Sequence, residues 1–128
     1  MRFPSLALLA LAASAGAAAP HPSHTDMLDH DGLIKRVAGS TIHYQAPSED
    51  IYEYLALDGS IHGESSVHGK YLARWRLFER DSICFEHDDP MASGCVRVKL
   101  SANMIEYHRR DGVVEGPFEI LVGNPRSL

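Results

Sequence analysis

Past Gly39 the chain alternates between apolar and polar residues with a period of two, in short runs broken by turn residues. Successive side chains on a strand point to opposite faces, so runs of this kind fold as half-buried β-strands. The runs cover residues 41–44, 51–57, 60–63 and 67–78, then segments around Ile83 and Phe85, around Val96, Val98 and Leu100, and over 104–110 and 113–122. Asp58-Gly59 and Asp111-Gly112 each separate two runs, and Asp-Gly favours a tight hairpin with positive φ at both turn residues. Residues 79–82 make another turn. Residues 87–94 read as a loop, with Asp88, Asp89, Pro90 and Gly94 as breakers. About eight strands in meander order must close on themselves or cover their edges. The expected fold is therefore mainly β: a small antiparallel up-and-down barrel of about eight strands, with a sandwich of two small sheets as the alternative. Eight strands leave an interior that side chains fill or that holds one small ligand.

Ahead of the strands, Leu33, Ile34 and Val37 fall at helical spacing and Gly39 is a natural stop. One short helix is expected over residues 29–38. Residues 20–28 are polar and contain proline, which suits a flexible leader. Residues 1–19 have the layout of an export signal: Arg2, an apolar stretch over 6–13, then small residues. Ala15-Gly16-Ala17 offers the small side chains a signal peptidase admits, with cleavage before Ala18. The apolar stretch is too short to span about 30 Å of hydrocarbon as a helix. One domain over residues 29–128 is expected in the periplasm or outside the cell, without a transmembrane segment.

An oxidising compartment favours pairing the two cysteines, Cys84 and Cys95. Their loop of about twelve residues corresponds to roughly 3 kcal/mol on a chain-entropy estimate. Cys84 lies opposite in parity to Ile83 and Phe85, and Cys95 to Val96 and Val98. Both sulfurs then point away from the apolar side of neighbouring strands, which predicts a cross-strand disulfide on the outer surface.

The chain runs in order through "AGST", Asp58-Gly59, "ARWRLFERDSICFEH", "GCVRV" and "FEILVGNP", spanning roughly residues 33–128. The order of these motifs resembles a family of small exported bacterial proteins known only as a domain of unknown function. That family's pattern is a Gly-Asn-Thr, a tyrosine strand with Asp-Gly, a Gly-x-Trp strand, Cys-Phe, a second Cys and a final Gly-Asn-Pro. Ser40 stands in place of the asparagine and Ala73 in place of the glycine. The resemblance implies a lipocalin-like strand order; it implies no activity and no catalytic residue.

Several groups of side chains are candidates for function. Tyr71, Trp75, Phe85, Val98, Tyr107 and Phe118 are expected to face inward, as core or as the wall of a pocket for a small apolar molecule. Arg74, Arg76, Arg97 and Lys99 are expected on the outer face beside Cys84. There they form a solvated surface or a docking patch for an anionic envelope component or an acidic protein partner. Eight histidines are present, and histidine is the commonest transition-metal ligand. His21, His24 and His30 lie in or near the leader. Pro20 has no N–H to give a tight amino-terminal copper site. His62 and His68 are about 20 Å apart if the chain between them is extended, and share an ion only if it turns and His43 joins them. Glu86, His87, Asp88 and Asp89 read as a solvated acidic loop rather than a calcium site.

No nucleophile elbow, zinc-protease helix or phosphate-binding glycine loop occurs, so no catalytic residue is assigned. A net charge of −5 argues against a nucleic-acid partner. The residues together favour an exported, non-enzymatic binding module without a cofactor. The alternatives are a histidine-based copper or zinc binder, and an inhibitor of an envelope or secreted enzyme.

Overall fold

The computed structural model describes residues 27–128. The expected signal at 1–19, most of the leader, and His21 and His24 lie outside the described residues. The last leader residues are already paired with the barrel: Met27 bridges to Lys99, and the Leu28 N–H donates to the Val98 carbonyl at 2.9 Å.

Helix α1 (His30–Arg36) starts where Asp29 caps it, its carboxylate accepting from the Gly32 N–H at 2.9 Å. Asp31 near its start and Lys35 and Arg36 near its end suit the helix dipole. Gly39, at φ +79°, turns the chain away. Leu33 and Val37 are buried, whereas Ile34, at the same spacing in sequence, lies on the open side of the helix.

Eight strands follow: β1 (Thr41–Ala46), β2 (Glu49–Leu55), β3 (Ser60–Ser65), β4 (Gly69–Phe78), β5 (Ser82–Glu86), β6 (Gly94–Ser101), β7 (Met104–His108) and β8 (Val114–Leu121). Each pairs antiparallel with the next, and β8 returns to β1, closing a barrel and excluding a sandwich. The expected strand over 67–78 starts instead at Gly69, and β3 runs on to Ser65. The Ser65 hydroxyl accepts from the N–H groups of Val67 and His68, which folds residues 66–68 into the hairpin tip.

The two Asp-Gly turns form where expected but with different geometry. Only the glycines, Gly59 and Gly112, have positive φ. Asp58 and Asp111 instead accept from the N–H two residues on, and the glycine N–H donates to Ala56 or Arg109 three residues back. That carboxylate contact holds each aspartate in an ordinary turn conformation, so the left-handed residue is the glycine alone.

Cys84 and Cys95 face each other in register across β5 and β6 and form the disulfide. They share the outer face with Arg76, the β4 partner of Cys84. Cys84 is nonetheless only 2% exposed, so neighbouring side chains cover that end of the bridge.

One end of the barrel is solid. Leu33 and Val37 of α1 pack there with Ile42, Leu55, Ile61, Trp75, Ile83, Val98 and Ile105. The Trp75 indole N–H donates to the Ala56 carbonyl at 2.8 Å. At the chain end, Asn124 exchanges hydrogen bonds with the Leu128 backbone, and the Arg126 guanidinium lies 3.9 Å from the Tyr52 ring centre on the outer wall.

Replacing both cysteines by serine is expected to lower unfolding free energy by roughly 3 kcal/mol, read from a urea titration. An unchanged midpoint with unchanged slope would contradict a role for the bridge in stability.

Candidate functional site

The other end of the barrel is not filled. A cavity of about 680 Å³ opens between the β1–β2, β3–β4, β5–β6 and β7–β8 connections. Small inward residues, Ser65 and Gly94, form part of its wall. Gly63 offers no side chain, and the Tyr71 ring occupies the place where one would stand: a Cβ there would come within 2.2 Å of the ring.

Glu53 lies among the residues that line this cavity and is 4% exposed. The Tyr71 hydroxyl donates to its Oε2 at 2.6 Å, and the His87 Nε2–H reaches the same oxygen at 2.8 Å. Among the described residues no hydrogen bond goes to Oε1. The hydrogen bond it donates to Glu53 holds the His87 imidazole above its ordinary 6.5; burial opposes this, while the charges of Glu53 and Asp89 add to it. Burial, then the Glu53 charge, pushes the Tyr71 hydroxyl far up, so it remains a donor.

Aromatic rings form one wall. The Tyr44 and Tyr107 hydroxyls meet at 2.5 Å, and burial is the main cause that raises both well above the usual phenol range. Tyr107 lies 5.3 Å from Phe85 and 5.4 Å from Phe118 between ring centres, and Phe118 packs edge-on against Tyr44 at 4.7 Å. At the rim, Glu49 bonds the Ser65 hydroxyl and Arg109 pairs with Glu115 at 2.5 Å.

His87 comes from the β5–β6 connection, and its inward aim is built locally. The disulfide ties the strands on either side of that connection. Inside it, the Ser93 hydroxyl accepts from the His87 N–H at 2.9 Å and reaches the His87 and Asp89 carbonyls. Asp89 caps a single 3₁₀ turn, Pro90–Ala92, by accepting from the Met91 N–H. The turn leaves Met91 exposed at the cavity rim.

Of the residues expected inside, Tyr71, Phe85, Tyr107 and Phe118 line the cavity. Trp75 and Val98 face inward too, but at the solid end, as core. The acidic run over 86–89 is split: Glu86 goes outward to Arg76, and His87 goes inward to Glu53.

The basic residues share the outer face of β4 and β6, yet acids meet them. Arg76 pairs with Glu86 at 2.9 Å and Arg97 with Asp81 at 3.1 Å; Arg74 stands across from Glu86, and Lys99 across from Glu106. The arrangement is a compensated face rather than a strong positive field.

The three histidines do not converge. His43 lies outside on β1, stacked on Tyr52 at 4.2 Å and bonded to Asp50. His62 lies outside on β3, opposite Leu72 and bonded to Ser60, and His68 is at the hairpin tip. Among the described residues no group of three or more His, Cys, Asp or Glu is placed to hold a metal ion.

Glu53 is the site residue that sequence patterning passed over. Residues 51–57 are apolar on both faces, and tyrosines flank the glutamate. Its signal was parity alone, since it shares a face with Ile51 and Leu55.

Comparison with protein families, with curated proteins and with solved structures finds no match. Among the described residues no helix is long and apolar enough to cross a membrane.

Because the folded state holds His87 above its unfolded value of 6.5, the Glu53–His87 pair stabilises the protein fully below that pH. The contribution is lost as pH rises through the folded value. His87→Gln is therefore expected to cost most below about pH 6.5 and less at higher pH. Urea titrations across that range check it; a deficit that grows with rising pH would contradict the pairing.

Proposed function

We propose that this chain is an exported, non-enzymatic binding protein whose barrel takes one small molecule through its open end. The observation that carries the reading is Glu53. A carboxylate taken out of water is costly unless paired, and this one is paired on a single oxygen at the edge of an open space. Packing alone gives no reason to keep such a group there; recognition of a polar atom does. The cavity volume falls within the range of about 300–1,000 Å³ common for small-molecule sites. Its lining suits that role as well: an aromatic wall beside polar groups, of which Glu53, Tyr71 and His87 hold one another in a defined geometry.

The disulfide supports residence in an oxidising compartment, and with it export to the periplasm or beyond. The resemblance of its motif order to that of small exported bacterial proteins is in keeping with this reading. In this reading Tyr71 and His87 are positioning residues: they fix Oε2 so that Oε1 is presented to the ligand.

Native mass spectrometry of the protein exported by its own host tests the proposal. A single small-molecule adduct is expected on the wild type and none on Val96→Trp, whose indole fills the lumen beside Phe85. A wild-type protein that carries no adduct and also refuses a neutral apolar dye such as Nile red would overturn it.

A further inference from the structure

Resting on that reading, we propose that the ligand is an organic monocation, an ammonium group carried on an apolar or aromatic body. The charges around the cavity point to this class. Arg109 is committed to Glu115, and His87 to Glu53, so neither basic group is free to meet an anionic ligand. Glu49, Asp88 and Asp89 also line the cavity, and none of them has an ion-pair partner among the described residues. His68 is the remaining titratable imidazole on the rim. The mouth therefore carries uncompensated negative charge, which concentrates cations and repels anions at the entrance.

The hydrogen-bonding inventory agrees. A ligand ammonium has only donors, and Glu53 Oε1 is an acceptor with no protein donor on it among the described residues. A ligand carboxylate would instead meet Oε1 as a like charge, with Arg109 already bound to Glu115 at 2.5 Å. A charge-assisted bond to a carboxylate is roughly twice as strong as a neutral one. The aromatic lining of Phe85, Tyr107 and Phe118 favours the same ligand, because aromatic rings attract a cation and pack against its apolar body.

Three probes of similar size separate the classes: 2-phenylethylamine, 2-phenylethanol and 3-phenylpropanoate, titrated calorimetrically into the exported wild-type protein. The amine is expected to bind at least about tenfold more tightly than the alcohol, and the carboxylate more weakly than either. Glu53→Gln, which keeps the shape of the side chain, is expected to remove most of the amine's advantage and leave the alcohol unchanged. Circular dichroism verifies that this variant is folded, and the wild-type comparison stands without it.

Equal or tighter binding of the alcohol or the carboxylate would overturn the cationic class while leaving a lumen ligand intact. So would failure of all three probes in a protein that still admits Nile red. Failure of all three together with the dye would remove the lumen reading as well.

Discussion

The structure depends on the short ladder that joins β8 to β1. It consists of three register pairs, Thr41 with Leu121, Ile42 with Ile120 and His43 with Glu119, reinforced by the Thr41 hydroxyl on the Gly123 carbonyl at 2.7 Å. Closure gives all inward residues one shared interior and leaves no open edge. It also makes parity decisive. A slip of one residue in β2 would turn Tyr52 and Tyr54 inward and send Glu53 to solvent, exchanging a buried carboxylate for a plain aromatic core.

Within that shared interior the two ends are built to different ends. Toward α1, large aliphatic residues and Trp75 meet and the helix adds Leu33 and Val37, so no space remains. Toward the mouth, inward positions carry Gly63, Ser65 and Gly94, and the side chains that do enter are held by polar contacts to one another. The disulfide belongs to this second half. It lies outside the barrel, but it ties the roots of the connection that sends His87 back inside.

Much of the fold was legible because it depends on local rules. Alternation marked the strands, Asp-Gly marked two hairpins, and the parity of Cys84 and Cys95 foretold an outward cross-strand bridge. Depth along the barrel was not legible. Tyr71 and Trp75 share a strand and a face, yet one lines the cavity and the other is core, because only the position of α1 decides which end is plugged. The same holds for the site's central contacts. Glu53 is placed by its register against β1 and β3, and His87 by a loop conformation that its acidic neighbours in sequence conceal. The basic residues of β4 and β6 were correctly assigned to one face, but their partners Asp81 and Glu86 come from the turn before β5 and from its last residue.

The contact on which the site depends is the inward aim of His87 beside Tyr71. Nuclear Overhauser contacts between the two rings, whose centres lie 6.2 Å apart, measure this directly in the oxidised protein. The expected result is a set of cross-peaks between the His87 and Tyr71 ring protons that weakens when the disulfide is reduced. A His87 ring with no contact to Tyr71 and the chemical shifts of an imidazole in water would contradict the account.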